Sequence, residues 1–101
     1  MYRRWHRFYD QGVPFTIPYP HRPLKSYFTD WADKQPEKPY LIHEDRVISY
    51  QEANSMARGS ANAFIDLGYK KQGRIALMAL NIPEYVIGLQ ACYKLGAIVV
   101  P

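Results

Sequence analysis

The sequence GRIALMALNIPEYVIGLQACYKLGAIVVP, residues 73–101, predicts a strand, a helix and a second strand in succession. Arg74 to Leu80 is an almost unbroken apolar run, which is typical of a strand buried on both faces of a parallel sheet. Ala97 to Val100 is a second apolar run, rich in β-branched residues. Two such strands with a helix between them form a right-handed βαβ crossover. The predicted fold class is therefore α/β.

The helix between these strands carries signals at both of its ends. Asn81 can cap the N-terminus, and Pro83 suits the first turn, where its missing N–H group costs nothing. Glu84 can reach back to Asn81 as in a capping box, and its charge suits the positive end of a helix. We expect the helix to end near Leu95, with Gly96 as a left-handed C-terminal cap.

Length and composition indicate one globular domain or part of one. The chain has 101 residues, of which 48% are hydrophobic and 22% are charged, a balance typical of a folded protein. The sequence contains no run of about twenty apolar residues, so it predicts no membrane span. It also has no apolar segment near the N-terminus that would predict a secretory signal. Cys92 is the single cysteine, so no internal disulfide can form and a reducing compartment is favoured. We expect a cytoplasmic protein, with peripheral attachment to a membrane as an alternative.

Residues 24–101 are predicted to form the folded body of the chain. An amphipathic helix comes first and ends before Pro36, with apolar side chains recurring at helical spacing. The expected core residues of this helix are Leu24, Tyr27, Phe28, Trp31 and Ala32. Two short strands follow, Tyr40 to His43 and Val47 to Tyr50, and the polar turn between them predicts a β-hairpin.

A second helix is predicted directly after the hairpin. Ser49 to Glu52 has the S-x-x-E pattern of a capping box at the start of a helix, and Gly68 is expected to cap its C-terminus. Small residues dominate the expected buried face, which would let the helix approach the sheet closely. That face comprises Ala53, Met56, Ala57, Ser60, Ala61, Phe64 and Ile65.

Residues 1–23 form a basic, aromatic N-terminal arm. Residues 1–25 contain five basic residues and one acidic residue, which accounts for the whole net charge of +4. Four prolines between Pro14 and Pro23 favour extended backbone and forbid a long helix there. The arm could wrap along its own protein, which we favour, or lie on a membrane or on nucleic acid, the last of which we do not expect. Membrane contact would involve Arg3, Arg4, Trp5, Arg7 and Phe8.

One phosphate-binding motif is nearly present. Gly68 to Ile75, GYKKQGRI, has the glycine spacing of a P-loop. A P-loop follows a strand and opens a helix, whereas this segment follows a helix and opens a strand. Arg74 also stands in place of the lysine, and Ile75 cannot bind magnesium. We therefore interpret the glycines as turn residues.

The remaining reactive side chains lack the spacing of a site. His6, His21 and His43 are scattered without metal-ligand spacing, and we expect His43 at the surface beside the hairpin turn. Cys92 lies among apolar residues and is expected to be buried and inert. Glu84 is the one acidic residue beside a strand end, where α/β sites tend to lie, but helix capping explains it. We predict no catalytic, cofactor-binding or metal-binding residue in this chain.

Three segments carry a likeness to a known family: PYLIHEDRVISYQEA (39–53), GYKKQGRIALMALNIPEYVIGLQA (68–91) and KLGAIVVP (94–101). Their order resembles the N-terminal region of the adenylate-forming enzymes, the acyl-CoA synthetase superfamily, in which (T/S)-Y-x-E-L precedes G-x-x-x-G-D-R-V-A and K-x-G-A-x-x-x-P. The likeness runs from about Leu24 to Pro101. The upstream WHRFYDQGVPFTI (5–17) is similar to the leader of long-chain fatty acid–CoA ligases. The sequence departs from the family's pattern at three scaffold positions. The aspartate after Gly73 is missing, Ala53 stands in place of leucine, and Ile82 stands in place of serine.

The resemblance implies that residues 24–101 are an incomplete N-terminal α/β subdomain. A complete enzyme of this kind uses ATP and Mg²⁺ to convert a carboxylic acid to an acyl-adenylate, and then passes the acyl group to coenzyme A. The family's phosphate loop, its adenine- and magnesium-binding segment and its C-terminal lysine have no counterpart in these residues. We expect the chain alone to be structural and inactive, to bind none of these cofactors, and to have the remainder of the parent enzyme as its partner. A second copy of the chain, in a homodimer, is a further expected partner.

Three hypotheses about function stay open. The leading one is an N-terminal segment of a fatty acid–CoA ligase. The second is a stand-alone interaction or membrane-docking module built from a truncated scaffold of the family. The third is a CoA ligase for another carboxylic acid, such as an aryl acid. The first is favoured because buried parallel strands need helices on both faces, and the predicted helices are too few to cover them.

Overall fold

The structure, a computed structural model, describes all 101 residues and has a mixed α/β fold. In chain order its elements are a 3₁₀ helix Arg4–Phe8, α1 Leu24–Lys34, β1 Pro39–His43, β2 Arg46–Ser49, α2 Tyr50–Asp66, β3 Arg74–Ala76, α3 Pro83–Leu95 and β4 Ile98–Val100. None of the helices has the length and apolar character needed to cross a lipid bilayer. The predicted class, with a hairpin, amphipathic helices and a βαβ unit, is confirmed.

The β1–β2 hairpin is antiparallel and closes locally. His43 pairs with Arg46, so only Glu44 and Asp45 form the turn, and Glu44 adopts a positive φ of 52°. The pairing shifts register between Pro39 and Leu41. The predicted hairpin is therefore confirmed, with a turn one residue shorter than the polar sequence suggested.

The β3–β4 pair is parallel and forms a second, separate sheet. Ile75 pairs with Val99, and Ala76 pairs with Val100. The prediction of a strand from Arg74 to Leu80 is wrong in its length, because β3 ends at Ala76 and only one further backbone bond follows, from Leu77 N–H to Val100 C=O. Beyond that bond the chain has no neighbouring strand to pair with, so its apolar sequence cannot continue the ladder.

Helix α3 begins and ends as predicted, but its N-terminal cap differs. Pro83 occupies the first turn, and Gly96 is left-handed with a φ of 77° after the last residue, Leu95. The N-cap residue is Ile82, which makes no side-chain cap, so the predicted Asn81–Glu84 capping box is wrong. Glu84 instead accepts a hydrogen bond from Arg46 on β2.

Helix α2 has the predicted capping box and a face of small residues. The Ser49 hydroxyl accepts from the Glu52 N–H at 3.2 Å, and the Glu52 carboxylate accepts from the Ser49 N–H at 2.8 Å. Gly68 follows the helix in the left-handed conformation, with a φ of 97°. Ala53, Ala57 and Ala61 are buried, but Met56 and Ile65 on the expected face are exposed. Helix α2 packs most extensively against α3 rather than against a sheet.

The core lies where α1, the hairpin, α2 and α3 meet. It is centred on Phe28, Ile48, Ala53, Ala57 and Ile87, with Tyr40, Leu41 and Tyr50 packed against it. The rings of Phe28, Tyr40 and Tyr50 lie 4.7–6.0 Å apart between centroids. Such aromatic pairs add to the free energy of burial, by about 0.5–1.5 kcal/mol each.

Only part of the predicted stripe of α1 is buried. Phe28 and Ala32 enter the core, whereas Leu24, Tyr27 and Trp31 are exposed. Basic groups lie over two of the exposed rings, since the Arg22 guanidinium is 4.0 Å from the Tyr27 centroid and Lys38 Nζ is 5.6 Å from that of Trp31. An aromatic face covered by cations is stable at the surface. Helical spacing alone therefore predicted more buried residues in α1 than the structure has.

Candidate functional site

The segment with P-loop glycine spacing forms a turn between α2 and β3. Gly68 and Gln72 both have a positive φ, and the Gly73 N–H donates to the Lys70 C=O at 2.9 Å. A Cβ atom at Gly73 would lie 2.8 Å from that same carbonyl oxygen, so the close turn requires glycine. The glycines therefore act as turn residues, as predicted.

The same segment does not fit the triphosphate of ATP. It follows the C-terminus of α2, whose free carbonyl groups form the negative pole of the helix and repel anions. Ile75, at the position of the magnesium-binding hydroxyl in a P-loop, is buried in the core. No step of nucleotide chemistry can be assigned to these residues.

The second candidate place is the stretch after β3, at the carboxyl end of the parallel pair. Here Glu84 forms an ion pair with Arg46, and both side chains are about half exposed. The hydrogen bond from Arg46 lowers the pKa of the Glu84 carboxyl. A carboxylate that is kept ionised by an arginine is poorly suited to general acid or base catalysis near neutral pH. The pair joins the hairpin to α3, which is a structural role.

The three histidines lie in different parts of the fold. His6 is buried in the arm, His21 is exposed, and His43 at the end of β1 is half-buried rather than at the surface as predicted. No group of three His, Cys, Asp or Glu side chains is arranged to hold a metal ion.

Two groups in α3 have pKa values shifted by burial. Cys92 is a free, fully buried thiol, as predicted, and burial raises its pKa. Burial, and then the nearby charges of Arg58 and Lys25, lowers the pKa of Lys94, whose Nζ lies 5.7 Å from the Phe28 ring. Both shifts follow from packing against the core.

The most unusual surface of the body is apolar. Met78 is 99% exposed and Leu80 is 80% exposed, although both were predicted in a strand buried on both faces. Ile98 and Val100, two residues apart on β4, are about half exposed. We call Met78, Leu80, Ile98 and Val100 the parallel-pair surface. Parallel sheets normally have both faces covered, so exposed apolar side chains at this place are unusual for a parallel pair.

These features define the class of protein: an α/β scaffold with an antiparallel hairpin and a βαβ crossover. The family model "AMP-binding enzyme" matches residues 28–101, which is most of the chain. The chain belongs to the AMP-binding enzyme family.

Relatives from several enzymes share this part of the fold. The chain is 35% identical over 83 residues to crotonobetaine/carnitine–CoA ligase of Salmonella paratyphi A, covering 77% of this chain and 16% of the ligase. It is 30% identical over 78 residues to malpinin synthetase of Mortierella alpina, covering 77% of this chain and 1% of the synthetase. Among solved structures, the N-terminal subdomain of Klebsiella oxytoca NpsA in complex with 3-hydroxybenzoyl-AMSN has a TM-score of 0.76 and 25% identity, covering 78% of this chain and 20% of that one.

The chain thus spans a small fraction of the proteins that it matches. The superposition on NpsA falls within a subdomain described as N-terminal. This supports the resemblance to the family's N-terminal region, whereas a fatty acid as substrate is not established by these matches.

Proposed function

We propose that this chain supplies the first scaffold elements of an acid–thiol ligase. The complete enzyme would use ATP and Mg²⁺ to form an acyl-adenylate from a carboxylic acid, and would then transfer the acyl group to coenzyme A. Membership of the AMP-binding family and the 35% identity to a CoA ligase support this proposal. Residues 24–101 would be the incomplete N-terminal subdomain, and residues 1–23 a separate arm.

The observation that carries the proposal is the parallel-pair surface. Its four apolar side chains are exposed at β4 and just beyond β3, where an enclosed parallel sheet would bury them. The occupant we propose is the remainder of an N-terminal subdomain of the NpsA type, of which this chain covers 20%. Further strands and helices of that subdomain would cover the apolar surface, so the chain's main partner would be the rest of the enzyme.

A long-chain fatty acid is the substrate we favour, because residues 5–17 are similar to the leader of long-chain fatty acid–CoA ligases. The second candidate is an aryl acid, and the likeness to NpsA, solved with 3-hydroxybenzoyl-AMSN, supports it. In both cases the enzyme would work in a reducing compartment such as the cytoplasm, consistent with its single buried thiol.

The test is to express the gene's whole reading frame, including any codons after Pro101, beside the 101-residue chain, and to measure ATP–pyrophosphate exchange. We expect the longer product to catalyse exchange with palmitate and the 101-residue chain to catalyse none, because its residues contain no phosphate-binding loop. Exchange with 3-hydroxybenzoate but not palmitate would establish the aryl alternative.

Two results would overturn the proposal. One is exchange catalysed by the 101-residue chain itself, since this would require a nucleotide site within these residues. The other is a reading frame that stops after Pro101 in a gene whose product stays monomeric and folded with the parallel-pair surface exposed. That result would favour a stand-alone interaction module.

A further inference from the structure

The 3₁₀ helix of the arm sorts its side chains onto three sides. A 3₁₀ helix has about three residues per turn, so residues three apart lie above one another. Trp5 and Phe8 therefore share one side, and Arg4 and Arg7 share a second side. The third side carries His6, which is 6% exposed, whereas Trp5 is 52% and Phe8 is 73% exposed. The helix thus presents an aromatic edge beside a cationic edge.

The buried side holds the arm in this shape. His6 stacks on Phe15 with centroids 4.2 Å apart and an interplanar angle of 3°, and Tyr2 and Tyr9 pack edge-on against the same imidazole. The Arg3 N–H donates to His6 Nδ1 at 2.9 Å. These rings pack on one another and not along the rest of the protein, as we had favoured. The two exposed sides of the helix therefore stay free.

The C-terminal end of the arm is held against α1 by Arg22. The Arg22 guanidinium donates to Asp30 at 2.5 Å and to the Ser26 hydroxyl at 2.7 Å. The structure's other ion pair joins Arg46 to Glu84, so Arg3, Arg4 and Arg7 have no acidic partner. The charge of Arg22 is compensated, and that of the other three arginines is available to an external anion.

Two of the three unpaired cations lie directly beside the exposed rings. The Arg3 guanidinium is 5.3 Å from the Trp5 centroid, and that of Arg7 is 4.7 Å from the Phe8 centroid. A tryptophan with a cation at its side suits the boundary between lipid headgroups and acyl chains, where the ring enters apolar surroundings and the guanidinium stays among phosphates. The exposed rings match the apolar part of an anionic lipid surface, and the neighbouring arginines match its phosphates.

We propose that the arm docks this protein onto anionic membranes through Trp5 and Phe8, with Arg3, Arg4 and Arg7 binding the lipid phosphates. Nucleic acid is a poorer fit, because the body outside residues 1–25 is electrically neutral and offers no basic track to continue along a polyanion. The attachment is reversible, since two rings and three cations supply far less binding than a spanning helix.

The experiment is co-sedimentation of the chain with vesicles of phosphatidylcholine alone and of phosphatidylcholine with phosphatidylserine. We expect binding only to the vesicles that contain phosphatidylserine, with release as salt rises from about 0.1 M to about 1 M and the Debye length falls from about 10 Å to about 3 Å. In a Trp31→Phe background Trp5 is the single tryptophan, and its emission should shift to the blue on binding.

Two double variants and a matched control test the residues. R4Q/R7Q should weaken partitioning by more than tenfold, because each arginine near an anionic surface contributes about fivefold. W5A/F8A removes the two exposed rings, whose apolar contribution salt does not screen. It should therefore abolish any binding that remains at high salt. The control K34Q/K70Q removes the same charge from exposed body positions and should change partitioning by less than about twofold. Circular dichroism should be unchanged for all three variants, because none of these side chains is buried.

Several outcomes would overturn the proposal. These are no binding to either vesicle, equal binding to both, or equal losses for R4Q/R7Q and K34Q/K70Q. Salt-sensitive binding to an oligonucleotide in preference to the phosphatidylserine vesicles would also overturn it and would indicate nucleic acid as the partner. None of these results bears on acyl-adenylate formation, so the docking proposal and the ligase proposal can fail separately.

Discussion

The β1–β2 hairpin and the β3–β4 pair are both two-stranded, but they are stabilised in different ways. The hairpin closes through a two-residue turn and directs Ile48 and Tyr40 into a core shared with α1, α2 and α3. The parallel pair is joined only through α3, and Ile75 is its single buried side chain. An antiparallel hairpin forms within a few residues of the chain. A parallel strand pair needs a crossover connection and other elements that cover its faces. The two sheets therefore call for different tests.

The largest expected effect is on the core beneath the hairpin. Phe28→Ala removes a buried ring that packs on Tyr40 and Tyr50, and we expect it to lower the free energy of unfolding by about 3–5 kcal/mol. Chemical denaturation followed by circular dichroism measures this loss. Phe8→Ala is the matched control, since that ring is exposed in the arm, and its effect should stay within about 0.5 kcal/mol. Equal losses would mean that the hairpin side has no specific core.

The next effect concerns the entry to the parallel pair. Gly96→Ala places a Cβ on a residue with a φ of 77°, about 3.0 Å from Lys71 Cγ, and should cost about 1–2 kcal/mol. Gly59→Ala lies in the exposed middle of α2 with open space around it, and should stabilise by about 1 kcal/mol. Thermal unfolding of both variants gives the comparison. Shifts of the same sign would contradict the left-handed assignment of Gly96.

A smaller effect is expected where the hairpin passes into α2. Ser49→Ala removes the hydroxyl that accepts from the Glu52 N–H, and should lower the free energy of unfolding by about 1 kcal/mol. Ser55→Ala on an exposed position of the same helix is the control and should be neutral or slightly stabilising. If both variants had the same stability, the capping box would not contribute to the fold.

The smallest effect on stability is expected at the parallel-pair surface. Ile98→Thr with Val100→Thr changes exposed side chains, so the free energy of unfolding should move by only about 0.5 kcal/mol for each position. Self-association of the chain, measured by analytical ultracentrifugation, should nevertheless decrease. Ile42→Thr with Val47→Thr, on the exposed face of the hairpin, should decrease it less. The reverse order would place the main contact surface on the hairpin.

The features predicted correctly from sequence depend on residues close together in the chain. The Ser49–Glu52 capping box, the hairpin turn at Glu44 and the left-handed Gly96 each need only a few neighbouring residues. Turn and cap chemistry of this kind is the part of a fold that sequence specifies most directly.

The features predicted wrongly depend on contacts between distant residues. Glu84 is not part of a capping box because Arg46, thirty-eight residues earlier, binds its carboxylate. The strand predicted to reach Leu80 stops at Ala76, since β4 ends opposite it at Val100. The 3₁₀ helix around His6 was not predicted, although the close spacing of arginine and aromatic residues there was its one visible signal.

The packing of α2 against α3 has a consequence for how this chain tolerates mutation. Ala53, Ala57 and Ala91 are fully buried, and an alanine side chain has no rotatable χ angle with which to yield. A single nucleotide change that turns one of these alanines into valine adds two methyl groups where no rotamer can absorb them. The helices would have to separate, at a cost of about 1–3 kcal/mol. Ala53, Ala57 and Ala91 are therefore positions at which even a small apolar enlargement should destabilise the fold.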